Sequence, residues 1–116
     1  MILRTVVVLI ALLVSSGAQA NYFTYQQWLA MSEMGRAAYV AGAFDSLLTF
    51  IDPADEQALA MKWHYNNCLL RAQMSDTQLA ANVMNFAKDR PELHTGPVQG
   101  ALLEYLNAAC GKPPTK

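Results

Sequence analysis

Ser75-Asp76-Thr77-Gln78-Leu79-Ala80-Ala81-Asn82-Val83-Met84-Asn85-Phe86-Ala87 reads as a helix from its own chemistry. The Ser75 hydroxyl can accept the Gln78 amide while the Gln78 side chain reaches back to the Ser75 amide, the reciprocal pattern of a capping box. Leu79, Val83, Phe86 and Ala87 then share one apolar face. No sustained alternation of apolar and polar residues marks a strand between Asn21 and Lys116, and Ala, Met, Leu and Gln are frequent there. The expected fold is all-α, a compact bundle of about five helices.

Working outward, Thr24 with Gln27 repeats the capping-box spacing and opens a short first helix carrying Trp28 and Leu29. Ser32 caps a second helix from about Glu33 to Ile51, with Arg36, Val40, Phe44, Leu47, Leu48 and Ile51 along its stripe. Gly35 and Gly42, a heptad apart, are expected to admit a neighbouring helix at close range. Asp52-Pro53 reads as the N-cap and first position of a third helix that runs to about Leu69 and presents Leu59, Met61, Trp63, Tyr65 and Cys68. The helix begun at Ser75 is the fourth, and Arg90-Pro91 interrupts it, because proline disfavours helical geometry in its predecessor. Pro97 opens the last helix, where Val98, Leu102, Tyr105, Leu106 and Ala109 recur on one face. Gly111 ends it, and Pro113-Pro114 prevents continuation.

The N-terminus has the three parts of an export signal. Met1 to Arg4 is positive, Val6 to Val14 is unbroken apolar chain, and Ser15 to Ala20 ends in a small-x-small pattern. Residues 1–20 are therefore expected to be a cleaved signal peptide and 21–116 a single periplasmic domain without a membrane span. No cysteine follows the cleavage position, so lipid attachment there is excluded. Loss of Arg4 with the signal leaves seven basic against nine acidic residues, a net of −2. That balance argues against nucleic-acid binding, which needs a concentrated basic face.

Export bears on Cys68 and Cys110, the two cysteines of the chain. An exported small domain with an even number of cysteines usually oxidises them, so a single disulfide is expected. In the chain-entropy treatment, closing that loop stabilises the fold by ~4 kcal/mol. A core this small is marginal alone, so the cross-link matters.

Catalytic constellations are sparse. His64 and His94 are the two histidines, and neither lies in a HExxH pattern or a structural-zinc spacing, so no metal or other cofactor is expected. His64 and Cys68, one turn apart, could pair as base and nucleophile, but oxidation of Cys68 would remove the nucleophile. Asp55 and Glu56 are adjacent and diverge, which suits a helix N-terminus better than paired acid-base work. The chain is expected not to be an enzyme. Tyr22, Phe23, Tyr25, Trp28, Met31, Met34, Trp63 and Tyr65 form a rich aromatic and methionine set, and any of it left exposed would mark an interface.

Trp28, Met31-Ser32 with Arg36, Tyr39-Val40-Ala41-Gly42-Ala43 with Asp45, Cys68, Ser75-Asp76-Thr77-Gln78-Leu79, Phe86, Pro91-Glu92 with His94, Ala101-Leu102 and Cys110 follow one another in a familiar order. In that order and spacing the chain resembles the Rap/Tai group of periplasmic immunity proteins, which neutralise peptidoglycan-amidase toxins delivered by type VI secretion. Cysteines that some members carry near the Tyr-x-x-Gly helix are absent here. The resemblance implies a non-catalytic protein that covers the active-site groove of an amidase toxin, and a homodimer as its own assembly. Arg71, Gln73, Asp89, Glu92 and His94, all at helix connections, are the candidate partner contacts. The alternative is a periplasmic stress chaperone activated by acid, a class that exposes apolar surface as carboxylates and histidines protonate.

Overall fold

The computed structural model describes residues 23–49, 52 and 54–115. The expected signal peptide over 1–20 lies outside these residues, as do Tyr22, Ile51 and Pro53. Five α-helices and one short 3-10 turn make up the fold: α1 Tyr25–Leu29, α2 Glu33–Thr49, α3 Glu56–Arg71, α4 Asp76–Ala87, the turn Pro91–Leu93, and α5 Val98–Cys110. The all-α bundle is as expected, with no strand among the described residues.

Both capping boxes form. The Gln78 amide donates to Ser75 Oγ at 3.2 Å, and the Ser75 amide donates to Gln78 Oε1 at 2.9 Å. Thr24 and Gln27 exchange the same pair at 3.2 and 3.0 Å. Each box satisfies two amides that the helix ladder leaves without partners. Ser32 Oγ accepts from the Gly35 amide at 3.1 Å, so it caps α2 as read.

The start of α3 differs from expectation. Asp55, not Asp52, is the N-cap, and its carboxylate accepts from the Ala58 amide at 3.0 Å. Asp52 instead builds the preceding turn, accepting from the Ala54 amide through its side chain and from the Asp55 amide through its carbonyl, both at 2.9 Å. Two aspartates three residues apart both satisfy the N-cap rule, and the turn consumes the first.

Six large or branched side chains are fully buried: Trp28, Val40, Val83, Val98, Leu102 and Leu106. They come from α1, α2, α4 and α5, and α3 adds the buried Tyr65 to the same core. On α2 the buried positions are Ala37, Val40 and Ala43, while Arg36, Phe44 and Leu47 sit at its edge. The small alanines suit the extensive packing of α2 on α4. Gly42 does not admit a helix, since a Cβ there would meet no atom within 4 Å. Gly35 is close only to the cap of its own helix, with Ser32 Oγ 3.2 Å and Met31 Cβ 3.4 Å from such a Cβ.

α3 is held differently, chiefly through the last turn of α5. Cys68 and Cys110 form the expected disulfide, with Cα atoms 5.8 Å apart. The Tyr65 hydroxyl donates to Asn107 Oδ1, and His64 Nε2 lies 2.7 Å from the Gly111 carbonyl. A carbonyl only accepts, so that nitrogen carries the proton. Gly111 closes α5 at φ 76°, ψ 163°, a conformation open essentially to glycine alone.

Candidate functional site

The N-terminal segment is fastened beside the start of α5. The Tyr25 amide donates to the Gly96 carbonyl at 2.9 Å, and the Val98 amide donates to the Phe23 carbonyl at 3.2 Å. These bonds form an isolated bridge between Thr24 and Pro97. Tyr25 is then buried, and its hydroxyl donates to the Met84 carbonyl at 3.3 Å, which draws α1 against α4. Burial pushes the Tyr25 phenol above its ordinary range. Trp28 locks the other side, donating from its indole nitrogen to the Arg36 carbonyl at 3.0 Å.

Between α1, the start of α2 and α4 this packing leaves a groove of about 550 Å³. Its floor is Tyr25, Leu29, Ala80, Ala81 and Met84. Glu33, Arg36, Lys88 and His94 carry the charge or titratable groups along its edge. Arg36 is held in place: its Nη1 donates to the Met31 carbonyl at 2.5 Å and reaches the Leu29 carbonyl at 3.4 Å, completing the end of α1. His94 Nε2 donates to the Ala87 carbonyl at 2.7 Å, and its ring stacks on Tyr25.

The sequence-derived contact residues fall into two sets. Asp89, Glu92 and His94 follow α4, whereas Arg71 and Gln73 precede it. The twelve residues of α4 rise about 18 Å, which separates the sets. Asp89 and Glu92 are exposed, and His94 is half-buried by the packing just described. Arg71 is exposed, with Nε 3.3 Å from the Asn67 carbonyl.

Gln73 has a backbone role. Its φ of 50° is left-handed, its amide donates to Leu70, and the Met74 amide donates to Leu69, at 3.1 and 3.2 Å. That pair of bonds is a Schellman motif, with glutamine where glycine is usual. Leu69 and Met74 both pack partly buried against the core, in keeping with the apolar contact such caps carry.

A further surface lies on α3. Trp63 is 55 % exposed and Leu70 is 66 % exposed. Seven residues are two turns of helix, so the pair shares one face. Lys62 places its ammonium 5.8 Å from the Trp63 ring. Trp63 stood in the aromatic set already, but Leu70 looked like any helix leucine. The groove residues Tyr25, Leu29, Met84 and Lys88 escaped sequence reading as a site because two helices far apart in the chain, α1 and α4, bring them together.

No catalytic centre takes shape around Cys68, whose sulfur is bonded to Cys110 and offers no thiolate. No cluster of three His, Cys, Asp or Glu side chains suited to a metal occurs among the described residues. No helix among them is long and apolar enough to cross a membrane. The fold and these surfaces define a disulfide-stapled all-α domain with an apolar helix face and an apolar groove. Comparison with known protein families, characterised proteins and solved structures found no match for the chain.

Proposed function

We propose that this chain is a periplasmic immunity-type protein that binds a peptidoglycan-amidase toxin delivered by type VI secretion and occludes its active-site groove. The observation that carries the reading is the exposure of Trp63 and Leu70 on one side of α3, with the exposed Asn67 between them. Tryptophan dominates binding energy at protein interfaces more often than most residues. Because α3 is stapled at Cys68, its face is presented with little further ordering cost on binding. Arg71 and Gln73 border Leu70 in the chain and supply a polar rim to an apolar centre. The resemblance running from Trp28 to Cys110 supports the class of partner.

The experiment pairs the protein with type VI peptidoglycan-amidase effectors, any encoded beside its gene first, and follows peptidoglycan digestion. Stoichiometric inhibition is expected, and Trp63→Asp with Leu70→Asp should abolish it while leaving helical circular dichroism intact. An uninhibited amidase at molar excess of the protein would overturn the reading. Suppression of client aggregation near about pH 2 in its place would mark an acid-activated chaperone.

A further inference from the structure

The groove beside α4 has no part in the reading above, which rests on α3. Its volume of about 550 Å³ lies within the range of small-molecule sites, and an apolar lining with a few convergent polar groups is their usual make-up. Tyr25 and Leu29 of α1 and Ala80, Ala81 and Met84 of α4 supply that apolar lining.

Charge discriminates among ligands for such a groove. Arg36 and Lys88 edge it against the single carboxylate of Glu33, in a chain whose overall formal charge is −1. Arg36 is a fixed charge, held by the Met31 and Leu29 carbonyls. The Lys88 ammonium has no hydrogen bond or ion pair among the described residues, so its donors are available. An apolar slot with a local cationic excess and an available ammonium is complementary to an apolar body with one anionic head.

We propose that this groove binds a small amphipathic anion, an acyl or aryl carboxylate. Its apolar body lies along Tyr25, Leu29, Ala80 and Met84, and its carboxylate pairs with Lys88 in the field of Arg36. The ligand is a small molecule and not a polypeptide, since the groove's volume of about 550 Å³ is that of a small-molecule site.

Trp28 supplies the readout, because its ring centroid is 5.7 Å from that of Tyr25 on the groove floor. The chain has two tryptophans, so Trp63→Phe leaves Trp28 as the sole reporter. Titration of that variant with dodecanoate below its micelle concentration should give a saturable change in Trp28 fluorescence. Dodecyltrimethylammonium, with the same chain and the opposite charge, should bind at least about tenfold more weakly. Lys88→Glu should weaken dodecanoate by a similar factor, and Ala81→Phe should fill the groove and abolish binding. Both substituted positions are exposed, and unchanged thermal melting would show that the variants fold. Absence of a saturable change, equal binding of the cationic amphiphile, or undiminished binding by both folded variants would overturn the proposal. Amidase inhibition is measured separately, so either result can fail without the other.

Discussion

The imidazole of His94 lies flat on the ring of Tyr25, with centroids 5.1 Å apart and planes 12° from parallel. Through Nε2 the same ring also reaches the Ala87 carbonyl, which accepts the Arg90 amide as well. His94 therefore ties the end of α4 to α1, and the turn Pro91–Leu93 is what delivers it there. Replacing His94 with alanine removes one hydrogen bond and one ring contact, and should cost about 1 to 2 kcal/mol. Urea denaturation of His94→Ala checks this, and a loss near zero would show that the stack carries no weight.

Alkaline pH should destabilise the protein through two phenols. Burial raises the pKa of Tyr25 and of Tyr65 above the ordinary 10.0. Below the unfolded value both states hold these protons, and the stabilisation is fully present. As pH rises from there through the folded values, the unfolded chain binds fewer protons than the native one, so stability falls. Denaturation midpoints at about pH 9 and about pH 11 should differ accordingly. The drop should be smaller in the Tyr25→Phe, Tyr65→Phe double variant.

Cys68→Ser or Cys110→Ser should lower stability by ~4 kcal/mol on the loop-closure estimate. Because the disulfide links α3 to α5, helical signal in α3 should be lost at lower denaturant than the rest. Hydrogen exchange across α3 separates such local release from global unfolding, which would raise exchange everywhere.

Gln73 holds a left-handed conformation that costs a glutamine roughly 1 kcal/mol relative to glycine. Gln73→Gly should thus leave stability unchanged or raise it by up to about 1 kcal/mol, whereas the β-branched Gln73→Val should lower it by more than about 1 kcal/mol. Thermal melting of the two variants gives the comparison, and equal melting points would remove the strain argument.

Local chemistry was legible in the sequence where one residue satisfies another a few positions away. Ser75 with Gln78 and Thr24 with Gln27 are of this kind, and so is the stop at Gly111. Asp52 and Asp55 show where such reading ends, because both obey the same rule and only the turn between them decides. Glycine at 35 and 42 suggested a helix contact, yet α2 is rotated so that Ala37 and Ala43 are the buried small residues. The groove depended on longer range still. Tyr25 and Met84 are 59 residues apart in the chain, and the bridge between Thr24 and Pro97 helps set α1 where their contact forms. His94 was singled out as a contact residue on its loop position, while its Tyr25 partner could be found only in three dimensions.

The disulfide also governs how the molecule bears load. Cys68 and Cys110 are 42 positions apart and enclose α4, the turn Pro91–Leu93 and α5 in a covalent ring. Tension applied at the two chain ends would pass from one sulfur to the other and bypass everything inside. At about 3.5 Å per extended residue, roughly 150 Å of contour length would stay hidden until the bond is reduced. Under tension α1, α2 and α3 would lengthen first, while the chain within the ring remained slack.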